Sequence, residues 1–288
     1  MNEVTVRVPA TTANLGPGYD CLGVALQIYN RMTVQRGGVA PLHAMVSAVA
    51  EKFFSGTGIA SFPFSWKIAG DVPRSRGLGS SVTVRLGLLH GLNVLSGCPA
   101  EKGDLFRFCA ELEGHPDNAA PAAFGGFTVA AGTEIARFEV APELRFVLLI
   151  PNFEISTPAA RKVLPPKIDH LDAAQSCANA CRITAAFATK QYRLLRGAFD
   201  DSLHQPFREK ELIPFLSDVI GAGERCGALG GFLSGSGSTI CCVTEEKDED
   251  GRTKTEAIGA AMLEASARTG AHVVIAPADN EGATLLHD

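Results

Sequence analysis

The sequence predicts a globular α+β fold, its class from the mixing of elements, its core from the apolar content, and its even make-up from the composition. Segments of strand period and of helix period follow one another irregularly, without a strict strand-helix beat; apolar residues make up 46 % of the chain; and the composition changes little along its length. Val4, Val6 and Val8 alternate with Thr5 and Arg7, the pattern of a half-buried strand. It leads into a loop of small, turn-forming residues, "VPATTANLGPGYD", which carries no charge until it ends in Asp20. Further strands are expected at 32–35, 62–69, 126–131, 146–150, 239–244 and 272–275, where β-branched and aromatic residues cluster. A helix over 80–95 is broadly apolar and stopped by Gly97, and a second over 101–113 spaces Leu105, Phe108, Cys109 and Leu112 at helical period. An Ala-rich helix over 172–196 would take Asp172 as its N-cap, and 252–269 closes the helical set.

With 288 residues the chain suffices for one large domain or two modest ones, and the proline-bearing strip "IPNFEISTP" near the midpoint, Pro151 to Pro158, is the best boundary. A net charge of -5 with no basic run gives no sign of a phosphate-tracking nucleic-acid surface, while leaving small anionic ligands open. The eight cysteines form no CxxC pair and mostly sit in apolar runs, which fits a reducing cytoplasm; the seven histidines do not join them at zinc-ligand spacing. Glu3 and Arg7 interrupt any leader-like apolar run, and no uncharged stretch resembles a spanning helix, so a soluble protein without a membrane partner is expected. The acidic run from Glu245 to Gly251 reads as an exposed loop tip.

Three segments carry chemistry. In "RGLGSSVTVRLGLLHGLNVLSG", Arg76 to Gly97, two glycines let the backbone approach a ligand and a helix begins at once, so free N–H groups and the helix dipole converge on one point that suits phosphate. No Lys follows the glycines, and Val82 stands at the third glycine position of a dinucleotide fingerprint, so it is neither of those two motifs. An ordinary capped helix is the plain alternative. In "ELEGHPDNAAPAAFGGF" the helical wheel, at about 100° per residue, sets Glu113 beside the apolar face and Glu111 on the far side. A carboxylate at an apolar edge needs a partner, a divalent cation being one candidate, whereas His115, Asp117 and Asn118 also fit a helix-ending turn. In "GALGGFLSGSGSTICCV" five glycines and three serines precede an apolar strand, a density that implies close approach of backbone or ligand. Arg161 and Arg208, in "STPAARKVLP" and "HQPFREKELIP", are surface arginines unless something gathers them.

Taken together and in this order, the segments at Val8 to Asp20, Gly77 to Ser81 and Gly230 to Thr239 resemble the GHMP kinase family, over most of the chain. The loop "PATTANLGPGYDCLGVAL", with Thr11 where other branches carry a Lys, together with "EGHPDNAAPA", "STPAAR" and "PFR", is similar to the homoserine kinase branch. The resemblance implies a two-domain architecture, an N-terminal ribosomal-S5-like domain over 1–151 and a C-terminal ferredoxin-like domain over 152–288. It implies ATP and Mg2+ as cofactors, L-homoserine as the small-molecule partner, and a homodimer at the level of the family. By position it implies that Gly77, Leu78, Gly79, Ser80 and Ser81 hold the nucleotide, with Arg76 just before them either on a phosphate or facing solvent, that Ser81 and Glu113 hold the metal, and that Asn14, Asp20, His115, Asn118, Thr157, Arg161, Arg208 and Gly235 hold the substrate. Asp117 and Asn118 fall beside the reacting hydroxyl, Asp117 as a base or as a structural group and Asn118 as the contact to the hydroxyl. An amino acid needs an anion such as Asp20 for its ammonium and a guanidinium fork for its carboxylate.

The sequence departs from the family's pattern at Arg76, at Val82 and Thr83, and at Ala119. Two other readings remain: a kinase of this family for another hydroxyl substrate such as threonine, mevalonate or a sugar, and a silent sensor on the same scaffold. The paired arginines favour an amino acid, and Ser81, Glu113 and Asp117 together favour catalysis.

Overall fold

Two antiparallel sheets share one apolar core in the computed structural model, which describes residues 2–38, 43–246, 254–267 and 269–286. The elements run β1 (Glu3–Ala13), β2 (Leu22–Arg36), α1 (Ala44–Thr57), β3 (Phe64–Gly70), α2 (Ser80–Leu95), α3 (Lys102–Glu113), α4 (Ala119–Phe124), β4 (Phe127–Ala131), β5 (Glu134–Phe138) and β6 (Leu144–Ile150). They continue as α5 (Thr157–Lys162), α6 (His170–Thr189), α7 (Gln205–Leu212), α8 (Leu216–Arg225), β7 (Gly230–Leu233), β8 (Ile240–Glu245), α9 (Thr255–Ser266), β9 (His272–Pro277) and β10 (Thr284–Leu286).

The first sheet is ordered β10-β1-β2-β4-β5, with β3 also on β2. Because β2 is 15 residues long, its start pairs with β4 through Leu22–Val24 and its end pairs with β3 through Asn30–Arg36. The second sheet is ordered β7-β8-β6-β9; with α8 and α9 it follows the chain order β6, α8, β7, β8, α9, β9, the ferredoxin-like arrangement, and α5 to α7 are inserted after β6. Strand β6 reads as a continuous apolar run because both its faces are covered. Phe146 and Leu148 face the core shared with β1, β2 and α6, whereas Val147 and Leu149 face α8 and α9. The seam between the sheets is closed by Phe127 of β4 stacked on Phe187 of α6, their ring centroids 4.2 Å apart. Such a pair adds about 1 kcal/mol beyond the area that it buries. Each sheet also draws on the other half of the sequence: β6 lies before Pro151, and β10 pairs with β1.

Three sequence expectations are corrected. The segment after Val8 is not loop from the start, since β1 runs on to Ala13; Pro9, which cannot donate to the ladder, sits at a register shift between Pro9 and Ala10 and disguises the continuation. Helix α6 begins at His170 with Asp169, not Asp172, as the cap, its carboxylate accepting from Leu171 N at 2.8 Å. The helix ends at Thr189 because Lys190 adopts φ 56°, and 192–195 form a separate 3-10 turn. Helices α1, α4, α5, α7 and α8 and strands β5, β7 and β10 escape the sequence reading. Residues 247–251 of the acidic run, and the start of the expected last helix at 252–253, lie outside the described residues. All eight cysteines are free thiols, and among the described residues no helix is long and apolar enough to cross a membrane.

Candidate active site

A cleft opens where the loop before α2, the turn between β7 and β8, and the end of β1 press together. Gly77 and Gly79 carry φ of 73° and 67°, and a Cβ on either would lie 2.1 Å from a neighbour, Ser234 O and Thr11 Oγ1 respectively. Only glycine allows that approach. Gly79 is the N-cap of α2 and supplies no side-chain cap, so the first amides of the helix, at Ser80 and Ser81, have no intrahelical acceptor, and these two residues line the cleft at the positive end of the helix dipole. Cross-links fix the floor. Thr11 N donates to Leu78 O, Thr239 N to Arg76 O, Gly235 N to Ala13 O, and the Ser234 hydroxyl to Gly77 O at 2.7 Å.

The structure brings nearly every expected site residue to this one cleft: Gly77, Gly79, Ser80, Ser81, Glu113, His115, Asp117, Asn118, Asn14, Asp20, Thr157, Arg161, Arg208, Gly235 and Arg76 all line it. Leu78 differs, its side chain being turned into the core. The Arg76 guanidinium is taken up by Pro151 O at 3.0 Å, by the carbonyls of Arg74 and Ser75, and by Glu154 at 3.4 Å.

At the helix end of the cleft, Glu113 closes α3 with a side chain 8 % exposed. Its Oε2 accepts from the Ser81 hydroxyl at 3.1 Å, and its Oε1 accepts from Arg85 Nη1. Arg85 was not foreseen, yet it lies one turn after Ser81 on α2 and so on the same face. Glu111, half-exposed, pairs with Lys52 on the outside, as the helical phase requires. In the middle, buried Asp117 accepts from His115 Nδ1 at 2.5 Å and from Asn118 N at 2.9 Å. The Asp117 hydrogen bond holds the His115 imidazole above its usual range. Thr11 Oγ1 donates to Asn118 Oδ1 at 2.6 Å, leaving the Asn118 amide hydrogens as the donors of that side chain.

At the far end, Asn14 and Asp20 hold φ of 73° and 57°, in the left-handed region that Asn and Asp tolerate best among residues with a Cβ. Asp20 N donates to Asn14 Oδ1, and Asn14 Nδ2 donates to Gly235 O at 2.9 Å. Arg161 grips Asp20 bidentately at 2.7 and 2.9 Å and gives a further bond to the Tyr19 hydroxyl at 2.9 Å. Arg208 is 2 % exposed and is aimed by three acceptors: Ala160 O, Gly235 O at 2.8 Å, and His204 Nδ1. The Tyr19 ring lies 5.5 Å from both guanidinium carbons. Asp20, His115 and Asp117 each bring one ligand atom within 4.8 Å of the others, an anionic corner beside the arginines.

Tyr19 and His204 were also missed, although one adjoins Asp20 and the other precedes Arg208 by one helical turn. His204 is fully buried; its Nε2–H donates to Gly16 O at 2.9 Å while Nδ1 accepts from Arg208, a set of bonds that only the neutral ring makes. Burial pushes its pKa down to about 4, with Asp201 opposing and Arg208 assisting. Against an unfolded value near 6.5, the unfolded chain binds the extra proton between those limits, so this contribution to stability is complete above 6.5 and is lost as pH falls toward 4. Histidine-ring NMR should show His204 neutral to below about pH 5; titration near 6.5 would mean a wetter site than these contacts describe.

Comparison with known proteins identifies the family. The family model for the GHMP kinases N terminal domain matches residues 43–126, and that for the GHMP kinases C terminal matches 183–262. The chain is 39 % identical to the homoserine kinase of Clostridium beijerinckii over 85 % of its own length and 88 % of that protein's. It is 35 % identical to that of Moorella thermoacetica over 98 % and 99 % of the two chains. The crystal structure of the homoserine kinase from Cytophaga hutchinsonii superposes with a TM-score of 0.88 at 25 % identity, covering 99 % and 98 % of the chains.

Proposed function

Since the chain belongs to the GHMP kinase family, we infer that it is an ATP-dependent small-molecule kinase that phosphorylates the side-chain hydroxyl of L-homoserine, giving ADP and O-phospho-L-homoserine. One observation carries the substrate: a cleft with a helix start suited to phosphate at one end gathers, at the other, one carboxylate, Asp20, and two arginines, Arg161 and Arg208, the charges that an α-amino acid needs. Product O-phospho-L-homoserine is a step toward threonine.

Phosphoryl transfer asks the protein for positioning and charge neutralisation more than for covalent work. The glycine-loop amides and the start of α2 take the phosphates of ATP. The Ser81 hydroxyl and the Glu113 carboxylate are hard oxygen donors 3.1 Å apart, a set that suits Mg2+, and they would hold it. Bound there, Mg2+ would neutralise charge on the transferring phosphoryl group. Asn118, oriented by Thr11, donates to the reacting hydroxyl and sets it in line. Asp117, already accepting from His115 and from Asn118 N, holds those two groups in place rather than taking the proton. Arg208 and Arg161 receive the carboxylate, Thr157 and Gly235 border it, and the corner of Asp20 and His115 meets the ammonium.

An ADP-release assay with ATP and Mg2+ over L-homoserine, L-threonine, mevalonate and galactose is the direct test. Turnover with L-homoserine well above the other three is expected. Silence with L-homoserine beside clear turnover of another alcohol would reassign the substrate, and silence with all four would favour a sensor.

A further inference from the structure

Resting on the amino-acid reading of this cleft, we propose that Asp20 and Arg161 act as one specificity unit. Each stands in for an end of the substrate, so that only a ligand bearing both an ammonium and a carboxylate binds without stranding a charge. The two side chains meet in a bidentate pair at 2.7 and 2.9 Å, so neither is a waiting half-site. A zwitterion entering between them replaces each partner with its own group of the same sign: its carboxylate takes the place of Asp20 against Arg161, and its ammonium takes the place of Arg161 against Asp20. The count of ion pairs rises by one and no charge is left alone. A ligand with the carboxylate alone takes Arg161 and strands Asp20 within 4.8 Å of the Asp117 carboxylate. A ligand with the ammonium alone strands Arg161 beside Arg208, both guanidinium carbons being 5.5 Å from the same Tyr19 ring. Leaving a partly buried charge unpaired costs roughly a factor of ten in affinity.

Tyr19 makes the exchange workable. Its hydroxyl accepts from Arg161 Nη1, the same nitrogen that donates to Asp20 Oδ2, so Arg161 keeps one fixed partner when it changes the other. Both side chains of the pair are about one-third exposed, open enough to be exchanged and sheltered enough to resist losing a partner.

Inhibition constants for 4-hydroxybutanoate, with the carboxylate alone, and for 3-aminopropan-1-ol, with the ammonium alone, test the idea in the intact enzyme. Asp20→Asn suits the purpose because Asn tolerates the φ of 57° at this position. Relative to wild type it should weaken L-homoserine but tighten 4-hydroxybutanoate by roughly tenfold, there being no carboxylate left to strand. Arg161→Gln should weaken L-homoserine and tighten 3-aminopropan-1-ol by a similar factor. Tyr19→Phe should raise the KM for L-homoserine severalfold with the KM for ATP unchanged, and should also weaken 3-aminopropan-1-ol, which would leave Arg161 without either of these partners. Weaker or unchanged binding of the single-ended ligands in the first two variants would overturn the exchange while leaving the amino-acid site standing. Variants that alter none of the three ligands would overturn the site reading itself.

Discussion

Glu113→Gln is expected to lower kcat by roughly two orders of magnitude, the scale for removing one electrostatic partner of a transferring group. Glu111→Gln, two residues earlier, should leave kcat within a factor of two or so. The contrast follows from helix phase. Glu113 is 8 % exposed, with one oxygen on Arg85 and the other beside the Ser81 hydroxyl, while Glu111 is half-exposed and shares a solvent-screened pair with Lys52. Gln keeps the size of the side chain but loses the charge that both Arg85 and a divalent cation require, so the Mg2+ concentration for half-maximal rate should rise with the loss of turnover. Removing the charge also leaves Arg85 facing a neutral amide, and thermal melting should register a loss of a few kcal/mol at most. A variant with normal turnover and normal Mg2+ dependence would remove Glu113 from the metal site.

Arg208→Ala should raise the KM for L-homoserine by about two orders of magnitude or more and change that for ATP little. Truncating one side of a sheltered charge pair costs about 2–5 kcal/mol, and about 1.4 kcal/mol is a factor of ten. The side chain is 2 % exposed, with Nε on Ala160 O and Nη1 on Gly235 O and His204 Nδ1, so the fork is held ready before any carboxylate meets it. Arg208→Lys keeps the charge and loses the fork, and it should recover only part of the affinity. Separate KM measurements for the two substrates decide the matter: equal losses for both would put Arg208 outside the amino-acid pocket.

Much of this was legible in the sequence because the loops that build the cleft are short and carry residues with narrow uses. A turn such as "RGLGSS" admits few backbone paths, and a helical wheel is enough to separate Glu113 from Glu111. Partners supplied across space were not legible. Arg85, Tyr19 and His204 each sit one residue or one helical turn from a residue that had been singled out, but an arginine on an apolar helix or a histidine before "QPFR" carries no mark of its acceptor. Strand ends fared likewise: Pro9 looks like a stop until β2 is seen to absorb it by a register shift. Strand β10 has only three residues and gains its identity wholly from β1. The pairing of Asp20 with Arg161 joins side chains 141 positions apart, so the two read as opposite ends of a ligand and not as each other's partner.

The cross-linked floor of the cleft joins its two ends. Gly77 and Gly79 belong to the end proposed for phosphate, Gly235 to the end proposed for the carboxylate, and they are stitched by Ser234, Thr12, Ala13 and Asn14 with almost no free space between backbones. A nucleotide that drew the first turn inward would drag the second with it, and with it the Gly235 carbonyl that steadies both Asn14 and Arg208. Thermodynamic linkage then runs both ways: whatever factor ATP contributes to amino-acid affinity, the amino acid returns to ATP.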